Sequence, residues 1–87
     1  MSERHETRLK RLRMRSMRRG MKEMDLLLMA FADARLAGLS GSELDAYERL
    51  LEESDQDLYA WISGAAPVPA AHAPLIARIA ETAPGRR

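Results

Sequence analysis

Gly20-Met21-Lys22-Glu23-Met24-Asp25-Leu26-Leu27-Leu28-Met29-Ala30-Phe31 decides the fold. Met21, Met24, Leu28 and Phe31 recur at three- and four-residue spacing, which lays them along one face of a helix. Upstream, Leu9, Leu12, Met14 and Met17 form an earlier amphipathic stretch of the same period. Between the two stands Gly20, and a glycine inside a helix costs about 1 kcal/mol relative to alanine. The spacing therefore predicts a helix end or sharp bend at Gly20, with a single kinked helix as the alternative. The second helix is expected over 21–36, stopping at Gly38.

Downstream the punctuation is clear. Ser40-Gly41-Ser42-Glu43 reads as a capping box that opens a third helix, whose Leu44, Tyr47, Leu50 and Leu51 share one face while Glu48, Glu52 and Glu53 stay wet. Ser54 or Asp55 can cap a fourth helix with Leu58, Trp61 and Ile62 turned inward, and Gly64 fits its left-handed stop. Pro67 and Pro69 forbid a regular helix over 65–73. Pro74 suits the first turn of a fifth helix that buries Leu75, Ile76, Ile79 and Ala80, and Pro84-Gly85 ends the order. No run alternates with period two over a strand's length. The expected fold is all-α, a small five-helix bundle, with 1–87 as a single domain whose ends, 1–6 and 84–87, are mobile.

Composition sets the outer limits. The chain has 87 residues, room for one domain, and its 46% hydrophobic content supports a core built mostly from aliphatic side chains and Met, since aromatics are only 5%. The absence of cysteine removes disulfides, thiolate nucleophiles and thiolate metal ligands. The apolar run from Leu26 to Ala32 is far shorter than the ~18–20 residues that cross a bilayer, so no membrane role is expected. The Arg-rich start lacks the apolar stretch of a secretory signal, and Glu3 and Glu6 run against a mitochondrial leader, so the expected location is cytoplasmic.

The net charge of +1 hides an uneven distribution. Residues 1–24 carry nine basic against three acidic side chains, a net +6, and residues 25–60 carry two against nine, a net −7. Such blocks can neutralise each other within one domain or orient a partner during encounter. As a nucleic-acid element the basic segment lacks aromatic stacking residues and a clear stripe, so nucleic acid is not the expected partner.

An enzyme needs a nucleophile, a tuned acid or base, or a metal, and the inventory is thin. His5 lies in the charged N-terminal segment and His72 in the Pro/Ala loop, both expected at the surface. Asp55 and Asp57 resemble the opening of a calcium loop, yet the glycine and glutamate such a loop requires are missing, and helix capping accounts for them. Arg18-Arg19-Gly20-Met21-Lys22-Glu23-Met24-Asp25 stands out: a glycine between an arginine and a glutamate suits close approach of another backbone or a flat ligand. On spacing alone a plain helix end flanked by an exposed Arg19–Glu23 pair is the favoured reading. Met14, Met17, Met21, Met24 and Met29 read mainly as core, or, beside Gly20, as an adaptable binding patch.

Arg19-Gly20-Met21-Lys22-Glu23 resembles the Arg-Gly-x-x-Glu signature of the succinate dehydrogenase flavinylation factors, a family of small five-helix proteins. Leu44, Tyr47, Leu50-Leu51-Glu52, Asp55, Asp57-Leu58, Trp61 and Gly64 resemble that family's stretch of Leu-Leu-Glu, then acidic residues, then Leu and Trp, at the same spacing. The resemblance implies an assembly factor or chaperone rather than an enzyme. Family members bind the flavoprotein subunit of succinate dehydrogenase, and in bacteria often that of fumarate reductase, and promote covalent attachment of FAD to a histidine of that subunit. This chain is then expected to bind no cofactor itself, and Arg19, Gly20 and Glu23 carry the partner contact, with Met21 and Asp25 as neighbours. Some members are also described as antitoxins or growth regulators, which leaves a nucleic-acid-binding regulator acting through the basic first helix as the alternative.

Overall fold

The computed structural model describes residues 3–84. Five α-helices follow one another: α1 (His5–Arg15), α2 (Lys22–Arg35), α3 (Gly41–Leu50), α4 (Asp55–Ser63) and α5 (Ala73–Glu81), with a 3-10 turn, Leu36–Gly38, closing α2. Among the described residues there is no strand, and the all-α expectation holds. Of the ends expected to be mobile, residues 1–2 and 85–87 lie outside the described residues. Glu3 pairs with Arg11, and His5 and Glu6 already belong to α1.

The helix boundaries follow from local chemistry. At α3 the Ser40 hydroxyl accepts the Glu43 N–H at 3.2 Å while the Glu43 carboxylate accepts the Ser40 N–H at 2.8 Å. That reciprocal pair satisfies two donors that the first helical turn leaves unpaired. It also holds the Glu43 carboxyl below the usual carboxylate range, first through the Ser40 N–H and then with help from Arg78. Ser54 caps α4 by accepting the Asp57 N–H, and Gly64 ends that helix at φ 85°, where a side chain would be strained. Pro74 stands in the first turn of α5.

α2 packs on α4 and α5, and α4 on α5, while α1 lies along the turn that closes α2. One core results, filled by Leu12, Met24, Leu28, Phe31, Leu44, Tyr47, Leu50, Leu58 and Ile79. Phe31 and Tyr47 meet at its centre, ring centroids 5.4 Å apart.

Four expectations are corrected. Met14 is 61% exposed; the buried seam of α1 passes from Leu12 to Ser16, four residues on and fully buried. Ser16 tolerates burial because its hydroxyl donates to the Leu12 carbonyl at 2.8 Å and, with its single proton spent, accepts from the Tyr47 hydroxyl at 2.6 Å. The first helix ends at Arg15, five residues before Gly20, and the left-handed residue of the turn is Arg18 at φ 55°. Trp61 and Ile62 are only partly buried against the core. His72 is buried rather than exposed: its Nε2 lies 2.8 Å from the Glu53 carboxylate and its ring 5.6 Å from that of Trp61.

Candidate functional site

The connection from Ser16 to Met21 between α1 and α2 is tied down from inside. The Arg19 guanidinium reaches across to the junction of α3 and α4. Its Nη1 and Nη2 donate to the carbonyls of Leu51 and Glu53, each at 3.1 Å, and its Nε donates to Asp55 Oδ1 at 2.7 Å. Those carbonyls lie at and just beyond the C-terminus of α3, where a helix presents unpaired acceptors and the negative end of its dipole. Asp55 is the first residue of α4, where the dipole favours a negative charge. One arginine and one aspartate thus complement both helix ends at this corner. The pair is well shielded, with side chains 13% and 17% exposed.

Asp55 has a second task. Its other oxygen, Oδ2, accepts the backbone N–H of Gly20 at 2.8 Å, and Asp25 accepts the backbone N–H of Arg19. The N–H groups of Arg19 and Gly20, in successive peptides, are therefore held by two carboxylates from different helices, which fixes how Gly20 faces solvent. Gly20 itself is exposed. A Cβ built on it would meet nothing closer than Asp55 Oδ2 at 3.4 Å, ordinary contact, and its φ lies outside the left-handed region. The fold has room for a side chain at position 20.

The five residues singled out in the sequence are brought together but do not face the same way. Glu23 is exposed and, among the described residues, takes part in no ion pair. Arg19 turns inward to Asp55 and forms no pair with Glu23, which corrects the reading of an exposed Arg19–Glu23 pair. Met21 packs partly against the core and its carbonyl accepts the N–H groups of Met24 and Asp25 at the start of α2. Asp25 is half-buried and occupied by the Arg19 peptide. Gly20 and Glu23 form the open face; Arg19, Met21 and Asp25 form its support. Asp55 is the organiser that the residues alone identified only as a helix cap, because nothing in its local sequence reveals a partner 36 positions upstream.

The basic first helix is largely spent on its own chain. Arg8 pairs with Asp45 and Glu48, Arg11 with Glu3 and Glu48, Arg13 with Asp33 and Arg15 with Glu52. Arg11, then Arg8, holds the Glu48 carboxyl below its usual range. The nucleic-acid alternative thus finds four of its arginines already occupied by carboxylates. Among the described residues no cluster of His, Asp and Glu is arranged to hold a metal ion, and no helix is long and apolar enough to cross a membrane.

Comparison with known proteins gives a consistent result. The family described as "Flavinator of succinate dehydrogenase" matches over residues 10–83. Among curated proteins, the mitochondrial succinate dehydrogenase assembly factor 2 of Mycosarcoma maydis is 44% identical over 69 residues, 79% of this chain and 29% of its own length. The factor of the same name from Meyerozyma guilliermondii is 49% identical over 59 residues, 68% of this chain and 44% of its own. That from Debaryomyces hansenii is 51% identical over 51 residues, 59% and 36% respectively. The chain spans less than half the length of these curated relatives. Their names mention succinate dehydrogenase and not fumarate reductase. The names also overturn the cytoplasmic expectation, since each relative is called mitochondrial. The rule behind that expectation describes a cleavable leader, whereas Glu3 pairs with Arg11 and Glu6 lies in α1, so these two acids carry no information about an address.

Proposed function

The chain belongs to the flavinator of succinate dehydrogenase family, and on that premise we propose that it binds the flavoprotein subunit of succinate dehydrogenase and promotes covalent attachment of FAD to it, through an open face made by Gly20 and Glu23. The observation that carries this reading is Gly20. The position is exposed, its backbone is fixed from within by Asp55, and neither φ nor packing requires the absence of a side chain. A glycine that the fold can dispense with is accounted for by a partner whose surface must come close to the backbone. Glu23, one turn further along α2, supplies an uncommitted negative charge beside it.

The mechanism is positioning. The histidine and the flavin that become joined belong to the client, and this chain contributes no nucleophile. A helper that binds the attachment-ready conformation of its client about 100-fold more tightly than the resting one raises a population of about 1% to about one half. Reacting groups held in that geometry gain the advantage of an intramolecular reaction. Arg19, Met21, Asp25 and Asp55 act one layer back, keeping the face rigid so that little ordering remains to be done on binding.

The test compares Gly20→Arg and Glu23→Ala with the parent chain in cells that lack the endogenous factor, reading covalent flavin on the flavoprotein by in-gel fluorescence. Both variants should keep their helical circular dichroism and lower the flavin signal. Normal flavinylation by both would refute the proposal.

A further inference from the structure

Three large apolar side chains are exposed among the described residues: Met14 at 61%, Leu26 at 56% and Tyr59 at 40%. Two of them line one shallow groove of about 200 Å³, walled by Glu23, Leu26 and Leu27 of α2, Tyr59 of α4 and Pro84 beyond α5. Leu26 and Leu27 follow Glu23 at three and four residues, so the groove runs along α2 away from the Glu23 carboxylate, which is itself three residues from Gly20. Leu26 and Tyr59 thus offer an apolar contact in one concavity next to an exposed carboxylate.

Charge indicates what fills it. Glu23 has no ion-pair partner among the described residues, so a polypeptide lying in the groove gains most by placing a cation at that end and an apolar side chain over Leu26 and Tyr59. A second copy of this chain offers Met14 between Arg13 and Arg15, held in exposed pairs by Asp33 and Glu52, and is the competing occupant that the test below separates. We propose that the groove formed by Glu23, Leu26, Leu27, Tyr59 and Pro84 seats a segment of the client flavoprotein that carries an apolar side chain next to a lysine or arginine, the apolar group on Leu26 and Tyr59 and the cation on Glu23. The proposal rests on the reading of Gly20 and Glu23 as the docking face and extends that face by about one helical turn along α2.

Calorimetric titration of the purified, FAD-free flavoprotein subunit of succinate dehydrogenase tests it. Leu26→Ser and Tyr59→Ser should each weaken binding at least about tenfold, as truncation of a central apolar anchor does. Met14→Ser removes a comparable exposed side chain outside the groove and should change binding by less than about twofold. The loss caused by Glu23→Gln should shrink between about 50 and 300 mM salt while that of Leu26→Ser persists. Circular dichroism melts check that the exposed-site variants stay folded. Wild-type affinity in both Leu26→Ser and Tyr59→Ser, with Gly20→Arg still abolishing binding, overturns the groove and leaves the docking face standing. Wild-type affinity in all of these variants overturns both. Self-association of the parent chain in sedimentation, lost in Leu26→Ser, identifies a second copy as the occupant and likewise overturns the proposal.

Discussion

The outer edge of α1 and the turn that follows it are built from the same residue types and put them to opposite use. Along α1 each of Arg8, Arg11, Arg13 and Arg15 meets a carboxylate from elsewhere in the chain, so the positive and negative blocks of the sequence largely cancel in space. In the turn, Arg19 is drawn inward to Asp55, while Arg18, Lys22 and Glu23 stand exposed and, among the described residues, unpaired. The difference separates two roles of charge. Exposed pairs such as Arg15–Glu52 contribute little to stability individually. The shielded Arg19–Asp55 pair fixes a corner where three helices meet, and what it leaves outside is available to a partner.

The largest expected effect tests that contrast directly. Arg19→Ala strands Asp55 and removes the donors to the Leu51 and Glu53 carbonyls, and should cost about 2–4 kcal/mol in urea denaturation. Arg15→Ala, which removes an exposed pair, should cost less than about 1 kcal/mol. Equal costs would break the comparison. Next in size is the buried hydroxyl pair that anchors the end of α1. Burial pushes the Tyr47 phenol up to about 12. Below pH 10 the phenol is protonated in folded and unfolded chains alike; above it the unfolded chain ionises first, so stability falls by about 2–3 kcal/mol until the folded phenol ionises in turn. Tyr47→Phe should lose this component of the alkaline decline, as measured by denaturation at pH 9 to 12. An unchanged pH profile would show that the phenol is not held neutral.

Caps and periodicity made the helices legible, because both are local. The Ser40–Glu43 box, the Ser54 cap, the Gly64 stop and Pro74 in the first turn of α5 each depend on residues within four positions of one another. What could not be read is what long-range pairing decides. Ser16 replaces Met14 on the buried face of α1 only because Tyr47 supplies a hydroxyl to it from 31 residues away. His72 is buried only because Glu53 and Trp61 receive it. At the candidate site, the motif named residues that the fold brings together, without their orientation. Gly20 and Glu23 face solvent, but the inward turn of Arg19 depends on Asp55 and on carbonyls of the α3–α4 junction.

Within the turn, a smaller effect separates conformational strain from function. Arg18 holds a left-handed backbone that disfavours any residue with a Cβ, and its side chain is exposed. Arg18→Gly should therefore stabilise the chain by about 1 kcal/mol, read as a rise in the denaturation midpoint. A decrease would mean that the Arg18 side chain makes a compensating contact of its own.

The smallest effect on stability is expected at Gly20, and it sharpens the comparison most. Gly20→Ala places a Cβ 3.4 Å from Asp55 Oδ2 and elsewhere in open space. Alanine also restricts the unfolded chain, a gain of about 0.4–1 kcal/mol where the native backbone suits it. Slight crowding of the carboxylate offsets part of that gain, so the net change should fall within about 0.5 kcal/mol of zero. A cost above about 1.5 kcal/mol would make the glycine a requirement of the fold and remove the argument for an external partner. An unchanged stability accompanied by reduced covalent flavin on the client would locate the need for glycine on the far side of the interface, where the fold of this chain has no say.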